Sequence, residues 1–374
     1  MKFFFSLSLL FHVSLEAFTQ PVKQYDWLMI YYIPYDNNLD EYTDSILYEL
    51  EAGVGANTMI AVFIDRYNHL DSGLNDNYYG TKRILLSKNF KKELNDTNEL
   101  SANTETFNSF LKWATQSCSF NKYAITLLDH GVGVDKLAAD EYPYEKFLRI
   151  DSVAIVIEKN ALAIGKKPEL IFLQLCSRAT AEFLYQLKDC SIYTLCSQTP
   201  ITAPNAYYRN TMEALSLQQI ITGEELARLI TEKERPDMYN SYTLVNNSNF
   251  GKWAQLLNRF LKNIANRPIL INHTTVERVY DSGFDFLDFN SLINSIQFAP
   301  FQETNQSKTE LLRFTNDSLI VFHRISPASD KMTNFSGFSL TKQKSANFKK
   351  SYKHLNFYKE CNISTLYLSI LNSK

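Results

Sequence analysis

Glu169-Leu170-Ile171-Phe172-Leu173-Gln174-Leu175-Cys176, followed by Ser177-Arg178-Ala179-Thr180-Ala181-Glu182-Phe183-Leu184, decides how the chain is read. The first of these stretches comes after Gly165 and Pro168 and is almost wholly apolar, which is the pattern of a strand buried on both faces. The second has helical apolar spacing, so Cys176 is expected at a strand-to-helix turn. Unpaired backbone N–H groups and the positive end of a helix dipole would favour the thiolate there, and the thiolate is the nucleophilic form. A cysteine in such a run is equally at home as a small buried hydrophobe. A partner has to decide between the two.

The partner stands upstream, in Lys122-Tyr123-Ala124-Ile125-Thr126-Leu127-Leu128-Asp129-His130-Gly131-Val132-Gly133. This is another apolar run broken by glycines, and it places His130 at a strand's carboxyl end. Ser152 to Ile164 can form a crossover helix between the two runs, which makes the strands parallel and sets His130 and Cys176 on one sheet edge. In open α/β sheets that edge holds the active site. A histidine that accepts the thiol proton and later returns it to a leaving amine completes the minimum apparatus for acyl transfer. The N–H groups of Gly131 and Cys176 are the candidate oxyanion donors. Asp129 is next to His130 in a strand and points to the opposite face, so a dyad is expected to work without it. A plain glycine turn explains the same residues without chemistry. A phosphate loop explains them less well, because its third glycine is missing at Lys136.

The order strand-Asp-His-Gly, then strand-x-Cys-x5-Glu, resembles the clostripain family of cysteine peptidases, relatives of caspases, legumain, gingipains and separase. Trp27-Leu28-Met29-Ile30-Tyr31-Tyr32-Ile33 with Asp36-Asn37-Asn38-Leu39 is similar to the family's opening strand and loop. Phe110-Leu111-Lys112-Trp113-Ala114 resembles its helix before the histidine strand. Asp285-Phe286-Leu287-Asp288-Phe289 and Ser336-Gly337-Phe338-Ser339-Leu340 resemble two segments of its C-terminal half. The resemblance implies protein or peptide substrates and self-cleavage between the histidine and cysteine strands, where Asp135 to Ile150 offers Lys146 and Arg149. It also implies calcium as a cofactor, although the residues themselves mark no metal site.

In one respect the sequence leaves that pattern. The family carries an aspartate two residues before the nucleophile, on the same strand face, where it pairs with a substrate Arg or Lys. Here the position is Gln174, and Ser197, Gln198, Thr199 and Pro200 supply no second acid. A substrate guanidinium buried beside neutral amides would be uncompensated at a cost of several kcal/mol. Gln174, Arg178, Ser197 and Gln198 are therefore the substrate-binding candidates, with a polar uncharged or acidic residue expected before the scissile bond. A catalytically inactive relative that keeps the fold to bind a partner is the alternative.

Met1-Lys2 precedes Phe3-Phe4-Phe5-Ser6-Leu7-Ser8-Leu9-Leu10-Phe11, with the small Ala17 soon after. This reads as a cleavable signal peptide, too short to span a bilayer, and implies a secreted or periplasmic protein. The 374 residues, 45% hydrophobic and 14% aromatic, suffice for a large core and permit two domains. A formal net charge of −2 argues against nucleic acid as a partner. Five cysteines in an exported chain leave one free thiol if two bridges form among Cys118, Cys190, Cys196 and Cys361.

Alternating strand and helix patterns from Trp27 to Ser197 predict an α/β fold, and the resemblance implies that it is caspase-like. It is a three-layer sandwich around a mostly parallel sheet, spanning 18–215 after a 1–17 signal peptide. A C-terminal mixed α and β region, 216–374, is expected to pack on it. Tyr67 to Tyr79 reads as a polar surface excursion, and Thr222 opens a helix through a capping box. The helix Phe250 to Ile264 should face the core through Trp253, Leu256, Leu257, Phe260 and Leu261.

Overall fold

The computed structural model describes residues 23–67, 80–95, 100–131, 133–140, 146–217, 222–265, 269–298, 302–329, 333–342 and 348–372. Its first strand, β1 (Gln24–Tyr35), shows why the chain forms layers. Side chains alternate across a strand, so Leu28, Ile30 and Tyr32 enter one core while Trp27, Met29, Tyr31 and Ile33 enter another. A strand that is apolar on both faces needs cover on both, and the solution is a three-layer sandwich.

After β1 come α1 (Thr43–Gly53), β2 (Thr58–Arg66), β3 (Gly80–Ser87), β4 (Phe90–Asn95), α2 (Thr104–Gln116) and β5 (Ser119–Leu128). A hairpin of β6 (Lys136–Asp140) and β7 (Lys146–Arg149) leads into α3 (Ile150–Ile164), β8 (Leu170–Gln174), α4 (Ala181–Gln186) and β9 (Tyr193–Cys196). The second half runs through α5 (Tyr208–Leu217), α6 (Gly223–Lys233), β10 (Ser241–Asn246), α7 (Phe250–Ile264) and β11 (Ile269–Ile271). It continues as β12 (Arg278–Asp281), β13 (Phe284–Asp288), α8 (Phe289–Ser295), β14 (Ile296–Phe298), α9 (Gln302–Phe314), β15 (Ile320–Ile325) and β16 (Ser339–Thr341). The last helices are α10 (Phe348–Tyr352), α11 (Asn356–Glu360) and α12 (Ser364–Asn372).

Nine strands form the main sheet in the order β15-β10-β9-β8-β5-β1-β2-β3-β4. The central strands β9, β8, β5, β1 and β2 are parallel, and an antiparallel pair extends each edge. Phe107 and Phe110 of α2, Val153 and Ile157 of α3, and Trp253, Leu257 and Phe260 of α7 cover one face. Ile46 and Leu50 of α1, Met212 of α5, and Leu226 and Ile230 of α6 cover the other. The caspase-like, mostly parallel α/β sandwich expected from the sequence is the fold observed.

All five residues expected to turn α7 toward the core are buried, and Thr222 caps α6 through the reciprocal bonds with Glu225. The C-terminal half does more than pack on the sheet, because its β10 and β15 are two of the sheet's strands. The conditional expectation of two disulfides is corrected: all five cysteines are free thiols, and Cys190, Cys196 and Cys361 are separately buried in the apolar core. The signal peptide lies outside the described residues, as does nearly all of the polar excursion 67–79. Among the described residues no helix is long and apolar enough to cross a membrane.

Candidate active site

The parallel pairing of β5 with β8 sets Leu128 level with Gln174. His130 and Cys176, each two residues further on, therefore leave the same sheet edge side by side. Main-chain contact there is close: a β-carbon on Gly131 would stand 2.1 Å from the Cys176 carbonyl oxygen. Only glycine lets the two backbones approach in this way. The Gly131 main chain favours the thiolate of Cys176, and Sγ donates to the Ile201 carbonyl oxygen at 3.6 Å.

The turn after Cys176 differs from expectation. Helix α4 begins only at Ala181 and is six residues long, so the helix expected to start at Cys176 does not. Ser177 instead takes a left-handed conformation at φ 53°, a strained choice for a residue with a side chain. Its N–H bonds to the Thr199 carbonyl oxygen at 3.1 Å, and the Ala179 N–H bonds to that of Ser197 at 2.9 Å. The loop after β9 thus holds the turn after Cys176, in place of a helix. Burial pushes the Cys176 thiol above its ordinary pKa. The contacts with Ile201 and Gly131 and the positive charge of Arg178 act against that rise, whereas Asp281 adds to it.

His130 is held from two sides. Its ring Nε2 lies 2.8 Å from Oδ1 of Asn38, and its main-chain N–H donates to Asp129 Oδ1 at 2.6 Å. Asp129 also accepts from the Asn37 side-chain amide at 2.9 Å and from the Ala139 N–H at 2.7 Å. Asp129 therefore anchors the backbone around the histidine and the strand that follows. Asn38 was not singled out as a site residue by its own pattern, although it falls within the Asp36-Asn37-Asn38-Leu39 stretch.

The four substrate-binding candidates have different fates. Gln174 lies beneath the site, where its amide donates to Tyr208 Oη at 2.7 Å and accepts from Tyr207 Oη at 2.9 Å. Arg178 is drawn into the interior. Its guanidinium donates to the carbonyl oxygens of Cys176 and Gly133, each at 2.8 Å, and stacks near the rings of Phe183 and Phe286. Burial lowers its pKa to about 10, which leaves it cationic at neutral pH. Ser197 donates to the Thr199 carbonyl oxygen within its own loop. Gln198 bonds to Asp288, Ser339 and the main chain of Gly337 and Phe338. Arg178, Ser197 and Gln198 are thus buried and bonded within the walls of the site.

One acid that the local sequence did not reveal stands at the tip of the β12–β13 hairpin. Asp281 is electrostatically coupled to both Cys176 and Arg178. Its Oδ1 accepts from the Ser282 hydroxyl at 2.9 Å, and its Oδ2 is buried with no hydrogen-bond partner among the described residues. A second acidic feature bears on the calcium implied by the resemblance. Asp36, Asp65 and Asp140 are all buried and each brings a carboxylate oxygen within 4.8 Å of the others. Carboxylates at that spacing fit the chemistry of a hard cation.

A family model described as the clostripain family, peptidase C11, matches residues 31–367. No curated protein matches the chain. Among solved structures, a secreted C11 cysteine protease from Bacteroides thetaiotaomicron, bound to an irreversible peptide inhibitor, is 15% identical. The match covers 90% of this chain and 99% of that one, with a TM-score of 0.69. An inactive zymogen C11 protease from Parabacteroides distasonis is 16% identical, with coverage of 90% and 98% and a TM-score of 0.66. At such identities the overlays attest the fold, and the family match spans nearly all of the chain that builds the sheet and its Cys176 edge. The protein is a cysteine-type peptidase and belongs to the clostripain family.

Proposed function

We propose that the protein is an exported endopeptidase that cleaves peptide bonds through a dyad of Cys176 and His130. The observation that carries this reading is the emergence of both residues from one sheet edge, with the Gly131 main chain packed directly against that of Cys176. Because burial favours the neutral thiol, the proton must leave during attack, and His130 is the base placed to take it. Asn38 Oδ1 can only accept, so the ring carries its hydrogen on Nε2 and keeps a lone pair on Nδ1. Cys176 attacks the substrate carbonyl, and the N–H groups of Gly131 and Cys176 hold the oxyanion. His130 then protonates the leaving amine, and water activated by the same ring releases the acyl group.

The resemblance to self-cleaving relatives supports maturation within the hairpin 136–149. There Lys146 is exposed, whereas Arg149 is tied to Asp135 at 2.6 Å. The amino-terminal pattern supports export, with processing near Ala17, and a peptidase region of 18–215 joined to the C-terminal region. For specificity, the neutral floor of Gln174, Tyr207 and Tyr208 supports a polar uncharged or acidic residue before the scissile bond. The unpartnered Oδ2 of Asp281 supports a second reading, in which that carboxylate receives a basic side chain.

The test is a peptide-library assay with labelling by iodoacetamide. Cys176 should alkylate stoichiometrically in the native protein, because burial raises the Cys118 thiol to about 11 and the Cys361 thiol to about 12. Cys176→Ala and His130→Ala should each lose activity by at least about 10⁴-fold, and Cys176→Ala should remain a single chain. Near wild-type turnover in both variants rejects the dyad. No turnover of any peptide by a processed sample points to a binding protein that retains the fold.

A further inference from the structure

With Cys176 as the proposed nucleophile, we infer that Glu234 is a positioning residue for it, acting through the loop 197–207. Glu234 caps the carboxyl end of α6 and is 5% exposed. Its carboxylate takes three donors. Oε1 accepts from the main-chain N–H of Ala206 at 2.8 Å and of Arg235 at 3.0 Å, and Oε2 accepts from the side-chain amide of Asn205 at 2.7 Å. That amide also donates to Tyr242 Oη at 3.1 Å. A carboxylate is costly to bury, and charge-assisted bonds of this length offset the cost. Burial raises the Glu234 pKa, and the bonds with Ala206, Asn205 and Arg235 act against that rise. The adjacent guanidinium of Arg235 is turned to Asp237, to which its Nε donates at 3.0 Å.

The loop that Glu234 grips holds Cys176 from two sides. At its start, the Thr199 and Ser197 carbonyl oxygens accept from the N–H groups of Ser177 and Ala179, at 3.1 and 2.9 Å, which fixes the turn after Cys176. At its end, Asn205 and Ala206 lead directly into Tyr207 and Tyr208, whose hydroxyls hold the Gln174 amide at 2.9 and 2.7 Å, two residues before Cys176. Between these points the Ile201 carbonyl oxygen faces Sγ, and the Thr202 N–H donates to the Met238 carbonyl oxygen at 2.9 Å. The segment 234–238 therefore ties the loop at two places, and Glu234 is the tie next to the tyrosines.

Helix α6 gives that tie a fixed base. The Gly223 N–H at its start donates to Glu169 Oε2 at 3.1 Å, and a β-carbon on Gly223 would stand 2.3 Å from the Glu169 carbonyl oxygen. Glu169 precedes β8, so the helix is docked where the strand of Cys176 begins, and the residue that caps it reaches the loop at the strand's other end. Buried as it is, Glu234 acts through the loop and not on the substrate. Its loss should slow the chemical step by loosening the placement of the thiol, with little effect on substrate affinity.

Hydrogen exchange on the full chain carrying Cys176→Ala tests the tie without any activity, and so stands apart from the dyad. Glu234→Ala in that background should speed exchange by at least about 10-fold in peptides covering 176–180 and 197–208, with the other strands of the sheet unchanged. In the active chain, Glu234→Ala should lower kcat roughly 10- to 10²-fold and leave KM within about 2-fold of the parent. Glu234→Gln should recover most of both, because its amide oxygen still accepts from the Ala206 and Arg235 N–H groups and the Asn205 amide can turn its oxygen to the new NH₂ group. Asp237→Asn, which alters an exposed carboxylate, should behave like the parent. Should Glu234→Ala fail to fold, Asn205→Ala removes a single bond and should give the same exchange pattern with a several-fold fall in kcat. Exchange unchanged in those peptides, exchange raised evenly along the chain, or a folded Glu234→Ala with the parent's kcat would overturn the role of Glu234. A wild type that turns over no peptide rejects the dyad, and exchange alone then decides for Glu234.

Discussion

Gly131 and Cys176 approach so closely that the carbonyl oxygen of the second occupies the space a β-carbon on the first would need. The contact keeps the two strand ends in line. Gly131→Ala has to push the strand ends apart, at about 1–3 kcal/mol of overpacking. Misplacing the reacting groups by about 1 Å costs roughly 10²-fold. The expected result is a drop of that size in kcat/KM with a modest loss of thermal stability. An alanine variant with wild-type kinetics would show that the contact is not needed.

Asn38 is a positioning residue for His130, and its loss should appear in kcat and leave KM nearly unchanged. For Asn38→Ala the expected fall in kcat is roughly 10- to 10²-fold, part of what acid–base catalysis contributes. Asn38→Asp keeps an acceptor oxygen and should recover most of the rate. A general folding defect would spare neither variant, and thermal unfolding of both makes that distinction.

Specificity separates two carboxylate positions. Gln174→Asp puts a charge on the strand face beneath the nucleophile, and it should shift library cleavage toward Arg or Lys. If Asp281 already serves basic substrates, the wild type cleaves after Arg or Lys and Asp281→Asn abolishes that preference, typically by 10²-fold or more for a lost charge pair, about 3 kcal/mol. Profiles of the three proteins choose between the readings.

Glu182 predicts a pH dependence of stability. Its carboxyl is buried against Tyr367 and the Thr341 N–H, and burial raises its pKa to about 7. The folded value lies above the unfolded one of about 4.3, so the native state favours the protonated form. The associated stability is complete below about pH 4 and is lost as pH rises through about 7, a few kcal/mol in all. Glu182→Gln in the Cys176→Ala background should remove that fall. Thermal midpoints from pH 4 to 8 check it, and parallel curves for the two proteins would refute it.

Cys176 and His130 could be found in the sequence because each ends an apolar run, and parallel pairing follows from the crossover helix between them. Asn38 could not, because it lies 92 residues from His130 and meets it only through the register of β1 beside β5. Asp281 escaped for the same reason, since it is brought in by a hairpin whose placement no local pattern records. Arg178 misled in the opposite way. Its nearness to the nucleophile in sequence suggested a substrate contact, but the left-handed turn at Ser177 sends its side chain inward to the carbonyl oxygens of Cys176 and Gly133. Gln174 kept the strand face expected of it, yet the tyrosines that occupy its amide come from the first residue of α5, a helix that the sequence did not announce, and from the residue just before it.

The two edge strands supplied by the second half also govern when the enzyme can exist. Until β10 and β15 emerge from the ribosome, β9 has an open edge of unpaired N–H and C=O groups. Gln198, beside the loop that holds the nucleophile's turn, waits longer still, because its partners Asp288, Gly337 and Ser339 are translated later. A nascent chain therefore carries Cys176 and His130 for much of its synthesis without the strands and loop contacts that hold the sheet edge around them.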